Sequence, residues 1–316
     1  MNTNSNPASN AAGDTPDPFR FVAAPFAPWD ERGSIRYESV APMADFLLAR
    51  GVSGVFVNGT TGEGLSLTLD ERKRLAETWR EKSAGKLKLF VHVGHACPED
   101  ARELARHAES LKADAIAAIG PVFYGLSSPD VLAAYCGRIA EAAPGTPFYY
   151  YHLPSMSRVD CLASAALQAM AGAVPTFAGI KFTHNDIEDY RRCLDLAGDR
   201  FEIMFGRDEL LLEGLKAGAR SAVGSTYNFA VPLYRKIREA FVSGKHAEAQ
   251  ALQTLATDAI NLMVAAGGQP GIKAVLTMEG IDFGGVRLPM QGLDRKTSGE
   301  LQAALERLAY FEQIRA

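Results

Sequence analysis

The sequence predicts an α/β protein, a (β/α)8 TIM barrel with a C-terminal helical extension. Three observations carry that expectation. From residue 21 onward, short β-branched and aromatic runs alternate with amphipathic stretches of helical period, and the alternation recurs about eight times. The connections are short, which implies parallel strands joined by helical crossovers, and this many repeats favours a closed barrel over an open doubly wound sheet. The length of 316 residues suits one such barrel with a remainder to place.

In chain order, strands are expected at 21–26, 54–58, 87–94, 115–120, 147–152, 177–183, 201–206 and 221–225, where the apolar runs are short. Amphipathic stretches at 37–50, 68–83, 98–111, 130–142, 162–171, 186–196 and 209–217 lie between them, and 232–242 closes the cycle. Beyond it, 245–266, 271–278 and 298–313 read as helices, with Gly267-Gly268 and the stretch 284–289 as breaks. The expected organisation is therefore a tail over 1–17, a barrel over 18–243 and the helical extension over 244–316.

Composition narrows the function. Apolar residues make up 47% and charged residues 22%, the balance of a globular protein with a full core. The formal charge is −4, from 33 basic and 37 acidic residues, and no basic run stands out, so nucleic acid is not an expected partner. Cys97, Cys136, Cys161 and Cys193 are scattered singly, without metal-ligand spacing, which suits a reducing cytoplasm. Residues 1–17 are polar and small, with no basic or apolar region of a signal peptide, and read as a disordered tail or linker. No apolar run approaches the ~18 residues of a membrane span.

Chemistry in such barrels occurs at the C-terminal ends of the strands. The sixth strand carries Lys181 just before its end, inside Gly179-Ile180-Lys181-Phe182-Thr183. Burial disfavours an ammonium, which lowers its pKa and frees the amine for Schiff-base chemistry. A lysine that snorkels or pairs with a buried acid is the commoner alternative. The loop Gly59-Thr60-Thr61-Gly62-Glu63-Gly64 offers amides and hydroxyls to an anion, or is a glycine turn before a helix; it lacks the ending of a nucleotide P-loop. In Tyr149-Tyr150-Tyr151, alternation turns the outer two one way and the middle one the other, so at least one enters the barrel, as packing or as a proton carrier. His92 and His95 are three apart on a strand with no acid at a useful spacing, and no metal is expected there. His152 and His184 flank the region as substrate contacts or structural donors.

Thr60-Thr61-Gly62-Glu63, Tyr151 three residues before Pro154, Lys181 within Gly-Ile-Lys-Phe-Thr, and Gly224-Ser225-Thr226-Tyr227-Asn228 occur in an order that resembles the pyruvate-dependent class I aldolases. Within that superfamily, which includes dihydrodipicolinate synthase, residues 57–67, 147–152 and 223–228 are most similar to the N-acetylneuraminate lyases, especially the animal type. The similarity spans about residues 20 to 290. It implies that Lys181 forms a Schiff base with the keto acid, that Tyr151 moves a proton, and that Thr60 and Thr61 hold the pyruvate carboxylate. It further implies that Thr183, Gly206, Asp208, Glu209 and Ser225 face the sugar hydroxyls, and that no metal or organic cofactor is required. Met156 stands where dihydrodipicolinate synthases carry an arginine for a second carboxylate, which argues against a semialdehyde acceptor. Phe123, followed by Tyr124, stands where many bacterial members place a tyrosine that reaches a neighbouring subunit.

The expected activity is therefore a carbon–carbon lyase that reversibly cleaves N-acetylneuraminate to N-acetylmannosamine and pyruvate in sialic acid breakdown, and the resemblance implies a homotetramer. Two rivals remain at this level: another pyruvate aldolase acting on a 2-keto-3-deoxy sugar acid or a hydroxy-oxoglutarate, and a non-catalytic ligand-binding barrel.

Overall fold

Short strands that are apolar on both faces need cover on both, which a closed sheet beneath a ring of helices provides. The computed structural model, which describes residues 19–315, has that form. The expected tail over 1–17 lies outside the described residues. In chain order the elements are β1 (Arg20–Ala23), α1 (Val40–Ala49), β2 (Gly54–Val57), α2 (Leu69–Lys82), β3 (Lys88–His92), α3 (Pro98–Ser110), β4 (Ala115–Ile119), α4 (Pro129–Ala140), β5 (Phe148–His152), α5 (Ala163–Ala173), β6 (Phe177–Phe182), α6 (Ile187–Ala197), β7 (Glu202–Phe205), α7 (Leu211–Ala217), β8 (Ser221–Gly224) and α8 (Val231–Val242). All strands are parallel and each pairs with the next; the barrel closes where β1 meets β8, from Arg20 opposite Ser221 to Ala23 opposite Gly224.

Alternation sorts each strand between two cores. Val22, Phe56, Phe90, Tyr149, Tyr151, Met204 and Val223 fill the barrel, whereas Val55, Leu89, Tyr150, Ile180 and Phe205 pack under the helices. Strand β6 breaks the rule in an informative way. Phe148 faces Phe177, but the next residue, Tyr149, faces Gly179, so Ala178 is an extra residue on β6. This bulge resets the alternation: Ala178 touches the inner core, Ile180 and Phe182 belong to the outer one, and Lys181 is turned inward. Gly179 permits it, because a Cβ there would lie 1.9 Å from the Glu202 carbonyl oxygen.

Several expected bounds change for local reasons. Strand β1 stops at Ala23 instead of running to 26; the N–H of Ala24 still donates to Gly224 O at 2.9 Å, but Pro25 has no N–H to continue the ladder. Strand β3 ends at His92, not 94. The expected helices at 37–50 and 209–217 each open with a 3-10 turn, Tyr37–Ser39 and Asp208–Leu210. Helix α2 starts at a full capping box, with Glu71 N–H donating to Thr68 Oγ1 at 3.2 Å and Thr68 N–H to Glu71 Oε2 at 2.9 Å.

The extension comprises α9 (His246–Ala265), α10 (Gln269–Met278), α11 (Arg295–Arg307) and α12 (Tyr310–Arg315). The single helix expected at 298–313 is two helices, divided at Ala309, whose φ of 55° ends α11. Helix α9 is tied to the segment after β7: Leu212 N–H donates to Gln253 Oε1 at 2.9 Å, and Thr257 Oγ1–H to Glu209 O at 3.0 Å. The extension therefore packs over the rim at the C-terminal strand ends. No described helix is long and apolar enough to cross a membrane.

Candidate active site

The strand ends open into a cavity of about 350 Å³ lined by Thr60, Thr61, Tyr151, Lys181, Thr183, Gly206, Asp208, Glu209 and Ser225, the full set of site residues that the resemblance implies. Lys181 projects from β6 into the barrel with 4% exposure, its Nζ 3.8 Å from the centre of the Phe56 ring and 4.2 Å from that of Tyr151. Burial lowers its pKa to about 7, against the pull of the Asp208 carboxylate, so near neutrality much of it is a free amine. The aromatic faces offset part of the cost of the remaining cation.

Tyr151 enters from β5 on the inner face, as does Tyr149, while Tyr150 points outward. Its hydroxyl lies 3.2 Å from Thr60 Oγ1. Burial raises its pKa to about 12, opposed by the hydroxyls of Thr60 and Thr183, so the phenol is held neutral. Thr60 and Thr61 sit in a loop turned by left-handed residues at Asn58 and Glu63, with φ of 61° and 55°. Gly64 is needed in that turn, since a Cβ would fall 1.8 Å from Asn58 O. The backbone N–H groups of Thr60 and Thr61 have no acceptor among the described residues, and together with the two hydroxyls they form a cradle suited to a carboxylate.

Across the cavity, Asp208 is buried, and its Oδ2 accepts from Thr226 N–H at 2.8 Å and Thr226 Oγ1–H at 2.6 Å. Burial raises its pKa to about 6; the Thr226 hydrogen bonds and Lys181 oppose the rise. Gly224 makes room for it, because a Cβ there would lie 1.7 Å from Asp208 Oδ1. Glu209 pairs with Arg207 at 2.5 Å, and Thr183 lies against Gly206, whose Cβ would come within 2.2 Å of the Thr183 hydroxyl oxygen. This wall carries acids and hydroxyls of the kind that suit a polyol, and the threonine cradle carries donors of the kind that suit an anion.

The histidines singled out from the sequence do not line this cavity. His152 faces outward from β5, with burial lowering its pKa to about 4, and neither it nor His184 lines the cavity, so the reading as substrate contacts does not hold. His92 is a buried strut: its Nε2 accepts from Ile119 N–H at 3.3 Å, which leaves Nδ1 to donate to Asn58 O at 3.0 Å. His95 lies beyond β3 and pairs with Asp100 at 3.2 Å. Among the described residues no group of three or more His, Cys, Asp or Glu could hold a metal ion. The extension supplies lining residues that sequence reasoning missed: Ile260, Val264, Gly268, Gln269 and Ile272. Gln269 Nε2–H donates to Thr61 O at 2.8 Å. Nothing local in those helices marks them as site residues.

Residues 17–308 match the model of the dihydrodipicolinate synthetase family. The chain is 39% identical to an N-acetylneuraminate lyase of Mus musculus over 295 residues, 92% of each protein. Among solved structures it is similar to an N-acetylneuraminate lyase of Proteus mirabilis, with a TM-score of 0.89 and 38% identity over 92% of this chain and 98% of that one. It is also similar to a sialic acid aldolase of Ruminococcus gnavus, with a TM-score of 0.86 and 33% identity over 92% and 96% of the two chains.

Proposed function

The chain belongs to the dihydrodipicolinate synthetase family, and from that premise we propose that it is an N-acetylneuraminate lyase, a class I aldolase that reversibly cleaves the sugar acid to N-acetylmannosamine and pyruvate. The observation that carries the reading is Lys181: a buried amine, lowered to about 7, between an aromatic face and a neutral phenol at the base of a polar cavity. Binding alone would not require that amine beside that phenol.

The Lys181 amine adds to the keto carbon and water leaves, giving an iminium. When the α–β carbon–carbon bond breaks, its electron pair passes into the iminium to form an enamine, and the proton of the β-hydroxyl leaves as the aldehyde forms. Tyr151 is neutral, so it takes that proton while passing its own to the substrate carboxylate, which Thr60 and Thr61 hold within reach. Protonation of the enamine carbon and hydrolysis then release pyruvate and restore the amine. The iminium is itself the electron sink, so neither a metal nor an organic cofactor takes part. Asp208, Glu209, Thr183, Gly206 and Ser225 contact the sugar hydroxyls in this reading.

Around this core we assign residues 18–243 as the catalytic barrel and 244–316 as its extension, with a cytoplasmic, catabolic role. We also assign a homotetramer, supported by the exposure of Phe123 (76%) and Tyr124 (80%), stacked edge to face at 5.0 Å, with Leu65 and Met156 also exposed. The test of function is pyruvate release from N-acetylneuraminate, with Lys181→Ala as the paired control. Release by the wild type and loss of at least about a thousandfold in the variant are expected, as for removal of a nucleophile. A folded wild type that releases no pyruvate from this substrate, yet forms a borohydride-trapped pyruvate adduct, would transfer the reading to a keto-deoxy sugar acid.

A further inference from the structure

Glu63 is a buried carboxylate in the cradle loop, and the reaction does not use it. Both its oxygens are engaged by donors from outside the loop: Trp29 Nε1–H donates to Oε1 at 2.7 Å, and Arg287 N–H to Oε2 at 2.8 Å. The Arg287 side chain reaches back over the same region. Its Nη2 donates to Glu71 Oε1 at 2.7 Å and to Gly33 O at 2.8 Å; its Nη1 donates to Glu71 Oε2 and to Ser66 O, both at 2.8 Å. Its guanidinium carbon lies 4.0 Å from the centre of the Trp29 ring. A buried cation anchors the same segment, since Lys273 Nζ donates to Ala27 O at 2.7 Å and to Gly285 O. Trp29 N–H donates to Phe283 O at 3.0 Å.

These bonds converge on the back of one turn. Residues 283–287, which follow α10, bridge the loop after β1, the loop after β2 and the capping box of α2. Glu63 stands two residues after Thr61 in that turn, at φ of 55°, and Glu63 N–H donates to Thr60 O at 3.0 Å. Whatever fixes Glu63 therefore fixes the directions of the Thr60 and Thr61 amides, and Thr60 in turn touches the Tyr151 hydroxyl.

Building on the lyase reading, we propose that Glu63 and Arg287 are positioning residues that hold the Thr60–Thr61 cradle in register with Lys181 and Tyr151, so that affinity for the pyruvate carboxylate depends on the docking of residues 283–287. Charge alone does not suffice here. Both partners of Glu63 are N–H donors, so a glutamine of the same shape would turn its own NH2 against one of them. Lysine at 287 would keep the cation but lose the planar fork that spans both oxygens of Glu71.

The experiment is titration with pyruvate alone, trapping the adduct with borohydride, alongside condensation kinetics with N-acetylmannosamine. In Glu63→Gln, half-maximal trapping and the KM for pyruvate are expected to rise about tenfold, while the KM for N-acetylmannosamine changes less than about twofold. Arg287→Lys is the second variant, should Glu63→Gln not fold; it leaves the Arg287 backbone donor to Glu63 in place and is expected to show the same bias at about threefold. A folded variant that traps at wild-type pyruvate concentrations would overturn the proposal. So would a loss shared equally by both substrates with a lowered melting temperature, the mark of a merely structural role. A wild type that traps no pyruvate defeats the lyase reading and, with it, the proposal; that result is distinguished by its appearance before any substitution is made.

Discussion

Burial makes the Lys181 amine available and also destabilises the fold. In the unfolded chain a lysine keeps its proton up to pH ~10.4, whereas in the barrel this one releases it near 7. Between those values the unfolded state binds the additional proton, so this group's contribution to stability rises with pH across that window; below about 7 its full penalty is present. Lys181→Met, which fills the same space without charge, should therefore melt higher than the wild type by an equivalent of about 2 kcal/mol near pH 6. The difference should shrink toward pH 9, and the variant should be inactive. Calorimetry across that range tests it; equal melting temperatures at pH 6 would mean that the amine is better solvated than the structure indicates. Lys181 was legible from sequence because an ionisable residue inside a β-branched run calls for a cause. Asp208 was legible only by resemblance, since its burial depends on Gly224, Thr226 and a neighbouring strand that no local pattern displays.

At the scale of elements, the β6 bulge deserves its own test. Without the bulge, strict alternation counted from Phe177 would carry Lys181 to the face that packs under the helices. Gly179→Ala would set a Cβ against the backbone carbonyl of Glu202, so β6 and β7 must separate or the bulge must move. Loss of more than about tenfold in adduct trapping is expected, with retained far-ultraviolet circular dichroism, since only the aim of one strand end changes. Trapping at the wild-type level in the folded variant would show that the bulge does not set the amine's direction. The rhythm of strand and helix was legible because period and apolar content repeat along the chain. The bulge was not, because a glycine in a strand signals a close approach without saying what approaches. The division at Ala309 was equally silent: alanine carries no turn signal, and the left-handed residue is set by how α11 and α12 pack.

For the whole molecule, the exposed Phe123 and Tyr124 pair makes a prediction about assembly. If that surface is a subunit contact, Phe123→Asp should shift sedimentation from a tetramer toward smaller species. An unchanged distribution would place the contact elsewhere. The association was implied by resemblance and not by pattern, since scattered exposed apolar residues are ordinary on any surface. The contribution of the extension to the cavity was likewise illegible: Gln269 meets Thr61 only because α10 folds back across the barrel rim.

That fold-back also imposes an order in time. Translation delivers Lys181 long before Gln269 and Arg287, whose hydrogen bonds steady the loop opposite it, and before Lys273, which ties the loop after β1 to the same segment. A partly synthesised barrel can thus carry its amine while the anion cradle still lacks its outer ties. On the proposed reading, recognition of the keto acid is among the last properties the growing chain acquires.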